Sequence, residues 1–306
     1  MFNAALGNRG FYTRFKTLSG ADIADAIKSI GLAGANVTAP FKEDILSFVD
    51  SQSEEVTLIG STNTITSNNG RLKAYNTDWY GVITAIKQSG LELKGLKVAL
   101  LGMGGAGKAA AYGLVKAGAN VTLVNRTPSK AMFMADKLSC KWADISTLPE
   151  LLLDSQLFIS TIPSYEQAEN TVHLPKGLWI FDANYHASTL TSIAKAAGNP
   201  IVDASQWLLY QGALAYEMLL NEQPPISVMQ EAIGAKQLLP IKVVAICSCN
   251  SNNIKRLNDE VWIAPKQLAL DSIRQLAPDL VIYSPKLTPV QVEELYHDER
   301  NKAFGS

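Results

Sequence analysis

The sequence predicts an α/β protein of two lobes with a cleft between them, on three observations. A short apolar run, Val98 to Leu101, is followed by closely spaced glycines, an Ala-rich helical stretch and a second apolar run, Asn120 to Val124. That order is strand, turn, helix, strand. The residues before Leu96 alternate short strand-like runs with helical spacings, enough for a separate small α/β unit. Finally, 306 residues suffice to bury two cores.

Composition narrows the class. An apolar fraction of 47% and a mean hydropathy of +0.06 are those of an ordinary globular protein. A net charge of −1 gives no electrostatic reason to expect nucleic acid or an acidic membrane as partner. No apolar run reaches the roughly 18 residues of a spanning helix, and no secretory leader is visible. Cys140, Cys247 and Cys249 argue against a disulfide framework and for a reducing cytoplasm. Cys247-x-Cys249 has no second pair nearby, and His173, His186 and His297 lack ligand spacing, so no metal is expected.

In chain order, Asn3 to Gly10 reads as a helix and Phe11 to Phe15 as a strand. Ile23, Ile27 and Ile30 share one face of a helix over Gly20 to Ile30. Asn36 to Lys42 is expected to open a helix through Val49, with Pro40 near its start, where the missing N–H costs nothing. Gly60 to Thr66 reads as a strand, Asn68-Asn69-Gly70 as a hairpin turn and Leu72 to Tyr75 as the return. Asn76-Thr77-Asp78 begins a helix over Trp79 to Ser89 with a polar cap.

Gly102, Gly104 and Gly107 then fit G-x-G-x-x-G after a strand and before a helix. One glycine permits the tight turn, one lets the backbone approach a pyrophosphate, and one lets helix and strand pack closely. The phosphates would lie on the unpaired N–H groups of the helix start. The following strand ends Asn125-Arg126-Thr127, without the carboxylate that holds a ribose 2′-hydroxyl and with an Arg suited to a 2′-phosphate. This predicts a Rossmann-type domain that binds NADP. Further on, a helix is expected over Ser129 to Leu138, another segment over Ile145 to Leu153, and strands over Leu157 to Ser160, Leu178 to Asp182 and Pro200 to Val202. Helices follow over Thr189 to Ala197 and Trp207 to Leu220.

Thr38, Lys42, Asn63 and Asp78 gather at element ends of the first unit. Singly, each has a plain reading: a solvated lysine, an N-cap aspartate, a strand amide bonded to backbone. Jointly, beside a nucleotide site, they read as a substrate site. The ordered set Asn36-Val-Thr-x-Pro-x-Lys42, Asn63-Thr64, Asn76-Thr-Asp78-x-x-Gly81, Gly102-x-Gly-Gly-Ala106, Asn125-Arg-Thr127 and Gln211-Gly-Ala213, with Asp182 and Tyr185, resembles the shikimate dehydrogenase family over residues 1 to about 235.

The resemblance implies reversible NADPH-dependent reduction of 3-dehydroshikimate to shikimate, a chorismate-pathway step of aromatic amino acid biosynthesis. It implies Lys42 and Asp78 as the catalytic pair, and Thr38, Asn63, Gln211 and Tyr185 as substrate-binding residues. Gly102, Gly104, Gly105, Ala106, Gly107, Asn125, Arg126, Thr127 and Thr161 would hold the cofactor. The chemistry also stands alone: reducing a ketone leaves charge on oxygen, which a neighbouring ammonium can stabilise and protonate.

Departures from the family pattern concern Asp203, His186 and the segment after Pro163. The family normally begins some twenty residues earlier, with a central strand and a Ser-x-Ser-Pro segment for the substrate carboxylate. Residues 241–306 extend past its usual end, with strands expected at Ile241 to Ile246, Val261 to Ala264 and Leu280 to Tyr283. Helices are expected near Gln267 to Leu276 and over Val290 to His297. Three readings of that region are open: the Leu280 strand and Thr288 replace the family's first strand and hydroxyls in a permuted order, Thr288 and Pro289 merely cap a helix, or the region is an appended module on an enzyme with impaired catalysis.

The expected division is a substrate-binding α/β domain over residues 1–90, the Rossmann domain over 91–205, helices returning to the first domain over 206–240, and an extension of unknown role over 241–306. The expected protein is a cytoplasmic enzyme, monomer or homodimer, with a small-molecule substrate. Its alternatives are a dinucleotide-binding regulatory module with impaired catalysis, a quinate-preferring dehydrogenase, or a methylene-tetrahydromethanopterin type of dehydrogenase.

Overall fold

Three sheets organise the described residues of the chain. The computed structural model describes residues 1–162, 174–184, 188–233, 243–247, 253–256, 261–264, 267, 269–284 and 291.

The first sheet has the order β2-β4-β5-β3, from Gly34–Asn36 (β2), Thr64–Asn68 (β4), Arg71–Tyr75 (β5) and Ser51–Gln52 (β3). β4 and β5 form the expected hairpin, with Asn69 and Gly70 both at positive φ (49° and 77°), as a two-residue primed turn requires. Helix α2 spans Gly20–Ile30, as its spacing predicts. The Ser19 side chain accepts from the Asp22 N–H at its start, and Gly31 ends it in the left-handed region. Ile27 packs on Val37, Ile45 and Ile65 of this sheet's core.

The helix expected to open at Pro40 does not form. Residues 39–43 are turn, the Ala39–Pro40 bond is cis, and only a 3₁₀ segment, Asp44–Phe48, follows. The cause is a bond from outside the segment: the Lys42 carbonyl accepts from the Thr62 N–H at 2.8 Å, so no helical bond closes on it.

The second sheet is parallel throughout, in the order β10-β9-β6-β7-β8. Its strands are Lys97–Leu101 (β6), Asn120–Val124 (β7), Lys141–Ala143 (β8), Leu157–Ser160 (β9) and Trp179–Asp182 (β10). Near-continuous burial of β6 and β9 matches a sheet covered on both faces. Helices α5 (Gly105–Lys116), α6 (Pro128–Leu138), α7 (Leu148–Leu153) and α8 (Thr189–Ala196) accompany these strands. The strand expected at Pro200 to Val202 reduces to one bridge between Ile180 and Ile201.

Helix α4 (Asp78–Gln88) and helix α9 (Ala204–Leu220) pack on each other, and α4 also packs on α5. Gly81 makes the first contact close: a Cβ there would sit 2.7 Å from both Cδ1 and the carbonyl oxygen of Trp207.

The third sheet, β1-β14-β11-β13-β12, joins the two ends of the chain. Arg14–Lys16 (β1) pairs in parallel with Leu280–Ser284 (β14), Arg14 opposite Leu280 and Lys16 opposite Ile282. β14 pairs next with Val243–Cys247 (β11), followed by Val261–Ala264 (β13) and Lys255–Arg256 (β12). Ala26 and Ile30 of α2 pack on Ile246, Val281 and Tyr283 of this sheet. The Tyr283 hydroxyl donates to Asp25 Oδ2 at 2.8 Å and lies 2.9 Å from Ser29 Oγ; burial pushes its pKa up. The Leu280 strand therefore extends the sheet of β1 and has β11, not β2, as its other neighbour, so it does not lie between the first-lobe strands. Thr288, Pro289 and most of the helix expected after them lie outside the described residues.

Candidate functional site

The two residues the sequence singles out for chemistry meet. Lys42 Nζ donates to Asp78 Oδ2 at 2.6 Å, although 36 residues separate them. Their side chains are 19% and 10% exposed, so water screens this pair far less than a surface ion pair. Asp78 is the first residue of α4, and its backbone N–H is taken by Asn76 Oδ1 at 3.0 Å. The polar cap expected from Asn76-Thr77-Asp78 is thus supplied by Asn76.

Asn63 organises the surroundings. Its Oδ1 accepts from the Thr77 N–H at 2.7 Å and from Thr64 Oγ1 at 3.1 Å. Its Nδ2 donates to Thr77 Oγ1 at 2.9 Å and to Gln211 Oε1 at 3.1 Å. The amide is 3% exposed, and every one of these bonds stays within the protein. The network continues through Asn36, whose Nδ2 donates to Thr64 Oγ1, to Tyr12, whose hydroxyl donates to Asn36 Oδ1 at 3.1 Å. Burial raises the Tyr12 pKa, which keeps that hydroxyl a donor.

These groups line a cavity of about 690 Å³, to which Thr38, Lys42, Asn63, Asp78 and Gln211 all contribute. Ala106 at the start of α5 and Ala183 after β10 also line it, so the cavity runs from the first sheet to the parallel one. Tyr185 lies outside the described residues.

The glycine turn has the geometry its spacing requires. Gly102 has φ +104°, a backbone that side chains rarely adopt. A Cβ on Gly107 would lie 1.9 Å from the Gly102 carbonyl oxygen, so only glycine fits there. Thr161 closes the turn from the neighbouring strand end, its Oγ1 donating to the carbonyls of Leu101 (3.1 Å) and Gly102 (3.2 Å). Asn125 accepts from the Met103 N–H at 3.1 Å and donates to the Thr127 carbonyl. Thr161 and Asn125, expected as cofactor residues, therefore brace the turn itself.

A dinucleotide fits what is left open. Among the described residues, nothing lies within 4 Å of a Cβ placed on Gly104, and no side chain caps α5. The first N–H groups of a twelve-residue helix thus face space that a phosphate can fill. Arg126 is exposed beyond the end of β7, and Thr127 is the residue before α6. Gly105 stands 3.5 Å (as a Cβ) from Lys42 Cδ, so the start of α5 abuts the stem of that lysine.

Several participants escaped the sequence reading. Lys108 Nζ donates to Glu43 Oε1 at 2.7 Å, an ion pair that ties α5 to the residue after Lys42. Opposite charges four residues into a helix and one beyond a motif lysine carry no signal without the fold. The bond from Tyr12 to Asn36 joins the segment before β1 to the end of β2, a pairing that neither residue's local sequence encodes.

Comparisons with known proteins point to one family. Family profiles match residues 1–65 as a shikimate dehydrogenase substrate binding domain and residues 84–175 as a shikimate/quinate 5-dehydrogenase. The chain is 34% identical to a shikimate dehydrogenase (NADP(+)) of Carboxydothermus hydrogenoformans over 229 residues, covering 68% of this chain and 79% of that protein. It is 35% identical to the Haloarcula marismortui protein of the same name over 234 residues, covering 74% and 88%. Among solved structures it is similar to a Thermus thermophilus shikimate 5-dehydrogenase in complex with NADP(H) and shikimate, with TM-score 0.61, 30% identity, and 69% and 82% of the two chains covered. A Corynebacterium glutamicum quinate dehydrogenase in complex with NAD gives TM-score 0.62 at 25% identity, covering 68% and 79%.

Proposed function

This chain is a member of the shikimate dehydrogenase family, and from that premise we propose that it catalyses the reversible, NADP-linked interconversion of 3-dehydroshikimate and shikimate. The observation that carries the reading is the Lys42–Asp78 pair, set mostly out of water on a cavity that reaches the start of the phosphate-binding helix. When bound, the reduced nicotinamide supplies a hydride to the ketone carbon.

In this reading the Lys42 ammonium binds the ketone oxygen, stabilises the charge that develops there and gives it a proton. Asp78 orients that ammonium and balances its charge. Asn63 holds Thr77, the residue before Asp78, and Gln211, so it fixes the pair's geometry besides facing the substrate. Thr38 and Gln211 offer hydrogen bonds to ring hydroxyls, and Tyr185 joins them by its place in the motif. Gly102 to Gly107 take the pyrophosphate on backbone N–H groups, and Arg126 receives the 2′-phosphate. The lobes divide accordingly: residues 1–90 with 206–240 on the substrate side, 91–205 on the nucleotide side.

Lys42→Ala tests it. Turnover of shikimate with NADP⁺, followed by absorbance of the reduced cofactor, is expected to fall by about 10²–10⁴-fold, while NADPH binding measured by fluorescence persists. Turnover close to the unmodified level would remove Lys42 from the chemistry. Running quinate alongside shikimate assigns the preferred ring.

A further inference from the structure

We infer that Glu43 and Lys108 are positioning residues: their bond joins the two lobes and couples occupation of the nucleotide site to the placement of Lys42. The inference deepens the proposed activity and rests on it.

Helix α5 is the reference on which the site is assembled. Its first turn is the proposed seat of the pyrophosphate, so a bound dinucleotide is fixed relative to this helix. Asp78 is tied to the same helix through α4. A Cβ on Gly113 of α5 would sit 2.9 Å from the Trp79 carbonyl oxygen, so the two helices meet backbone to backbone. Lys42 is placed differently. It lies in the turn at residues 39–43, outside any regular element, and the bond from the Thr62 N–H holds that turn to its own lobe.

The next residue joins the turn to α5. Glu43 Oε1 accepts from Lys108 Nζ at 2.7 Å. Helical side chains lean toward the helix N-terminus, so Lys108, the fourth residue of α5, lies over the first turn. Two further groups of the substrate side approach this turn: Lys42 Cδ and Ser61 Oγ, 3.5 and 3.6 Å from a Cβ placed on Gly105. Neither makes a polar bond to it, since one is a methylene and the buried Ser61 hydroxyl has no hydrogen-bond partner. The directional contact at this junction is the ion pair. A second bond between the lobes, from Lys137 Nζ to the Thr57 carbonyl, joins α6 to the helix Glu54–Ile59 and not to the Lys42 turn.

Exposure decides what the pair can do. The Glu43 side chain is 59% exposed and that of Lys108 24%, so their bond adds little to stability and acts on position. A dinucleotide that fixes the first turn of α5 also fixes Lys108, and through Glu43 the turn that bears Lys42. A ring acid bound to Lys42 fixes the same junction from the other side. Whichever ligand arrives second finds part of the ordering done and binds more tightly.

The test measures shikimate affinity by calorimetry on the full chain, with and without saturating NADPH; both partners are reduced and do not react with each other. NADPH is expected to tighten shikimate binding by at least about fivefold. In Glu43→Ala and, separately, in Lys108→Ala that factor is expected to fall to within about twofold, with a thermal midpoint within about 3 °C of the parent. Lys108→Arg keeps the bond and is expected to keep the factor. NADPH affinity measured with and without shikimate must return the same factor, because the coupling is reciprocal. A parent factor below about twofold, or alanine variants that keep the parent's factor, overturns the inference. Coupling that depends on Glu43 and Lys108 in a protein that never oxidises shikimate would uphold the inference and defeat the proposed reaction. Oxidation of shikimate by a parent without coupling would do the reverse.

Discussion

At the scale of single residues, the site depends on an amide rather than on a charge. Among the described residues, Asn63 is the one side chain that bonds Thr77, Thr64 and Gln211 together, and through Thr77 it sets the start of the helix that presents Asp78. Removing it leaves the buried Thr77 N–H without its acceptor and takes one partner from each of the Thr64 and Thr77 hydroxyls. Asn63→Ala is therefore expected to cost about 2–4 kcal/mol of stability, read as a lower urea midpoint with unchanged slope. An unchanged midpoint would mean that water repairs the network. Sequence reasoning foresaw that Asn63 belongs with Lys42 and Asp78 because motif order carries that information. It did not foresee how the amide's bonds are spent, because those depend on Thr77 and Gln211, 14 and 148 residues away.

At the scale of elements, legibility followed how locally each element is determined. Helix α2, strand β7 and strand β9 occupy the residues expected of them, since periodicity, a cap and a glycine stop lie within the segment itself. The helix expected to open over Asn36 to Lys42 and run through Val49 does not form, because the segment's conformation depends on a bond from Thr62, which local spacing does not encode. The glycine turn separates two roles that the pattern G-x-G-x-x-G presents as one. Gly107 is a packing residue, 1.9 Å (as a Cβ) from a carbonyl oxygen, whereas Gly104 borders open space. Gly107→Val is accordingly expected to yield little folded protein, since overpacking against backbone has no cheap relief. Gly104→Val is expected to fold with a thermal midpoint within about 3 °C of the parent and to bind NADP⁺ at least tenfold more weakly. Equal cofactor affinity in the Gly104 variant would move the pyrophosphate away from this turn.

At the scale of the whole molecule, the two ends of the chain depend on each other. Among the described residues, β1 has one ladder, to β14, and α2 lays Ala26 and Ile30 on the sheet that the C-terminal region builds. The parallel sheet from β6 to β10 has no strand in common with it. Two consequences of cutting the chain after residue 240 can therefore be told apart. The nucleotide side keeps its sheet, its glycine turn and Thr161, so NADP⁺ binding should survive. The substrate side loses the partner of β1 and uncovers Phe15, Ala26 and Ile30, a loss of several kcal/mol at the usual value of buried apolar area and a drop of about 10 °C in the first unfolding step. Because β1 lines the cavity, the shortened chain should also lose shikimate affinity before it loses the cofactor. Calorimetry with NADP⁺ and with shikimate checks both parts. If the shortened chain keeps its shikimate affinity, then α1 (Phe2–Leu6) and α2 hold β1 in place without a ladder, and the C-terminal sheet serves stability alone.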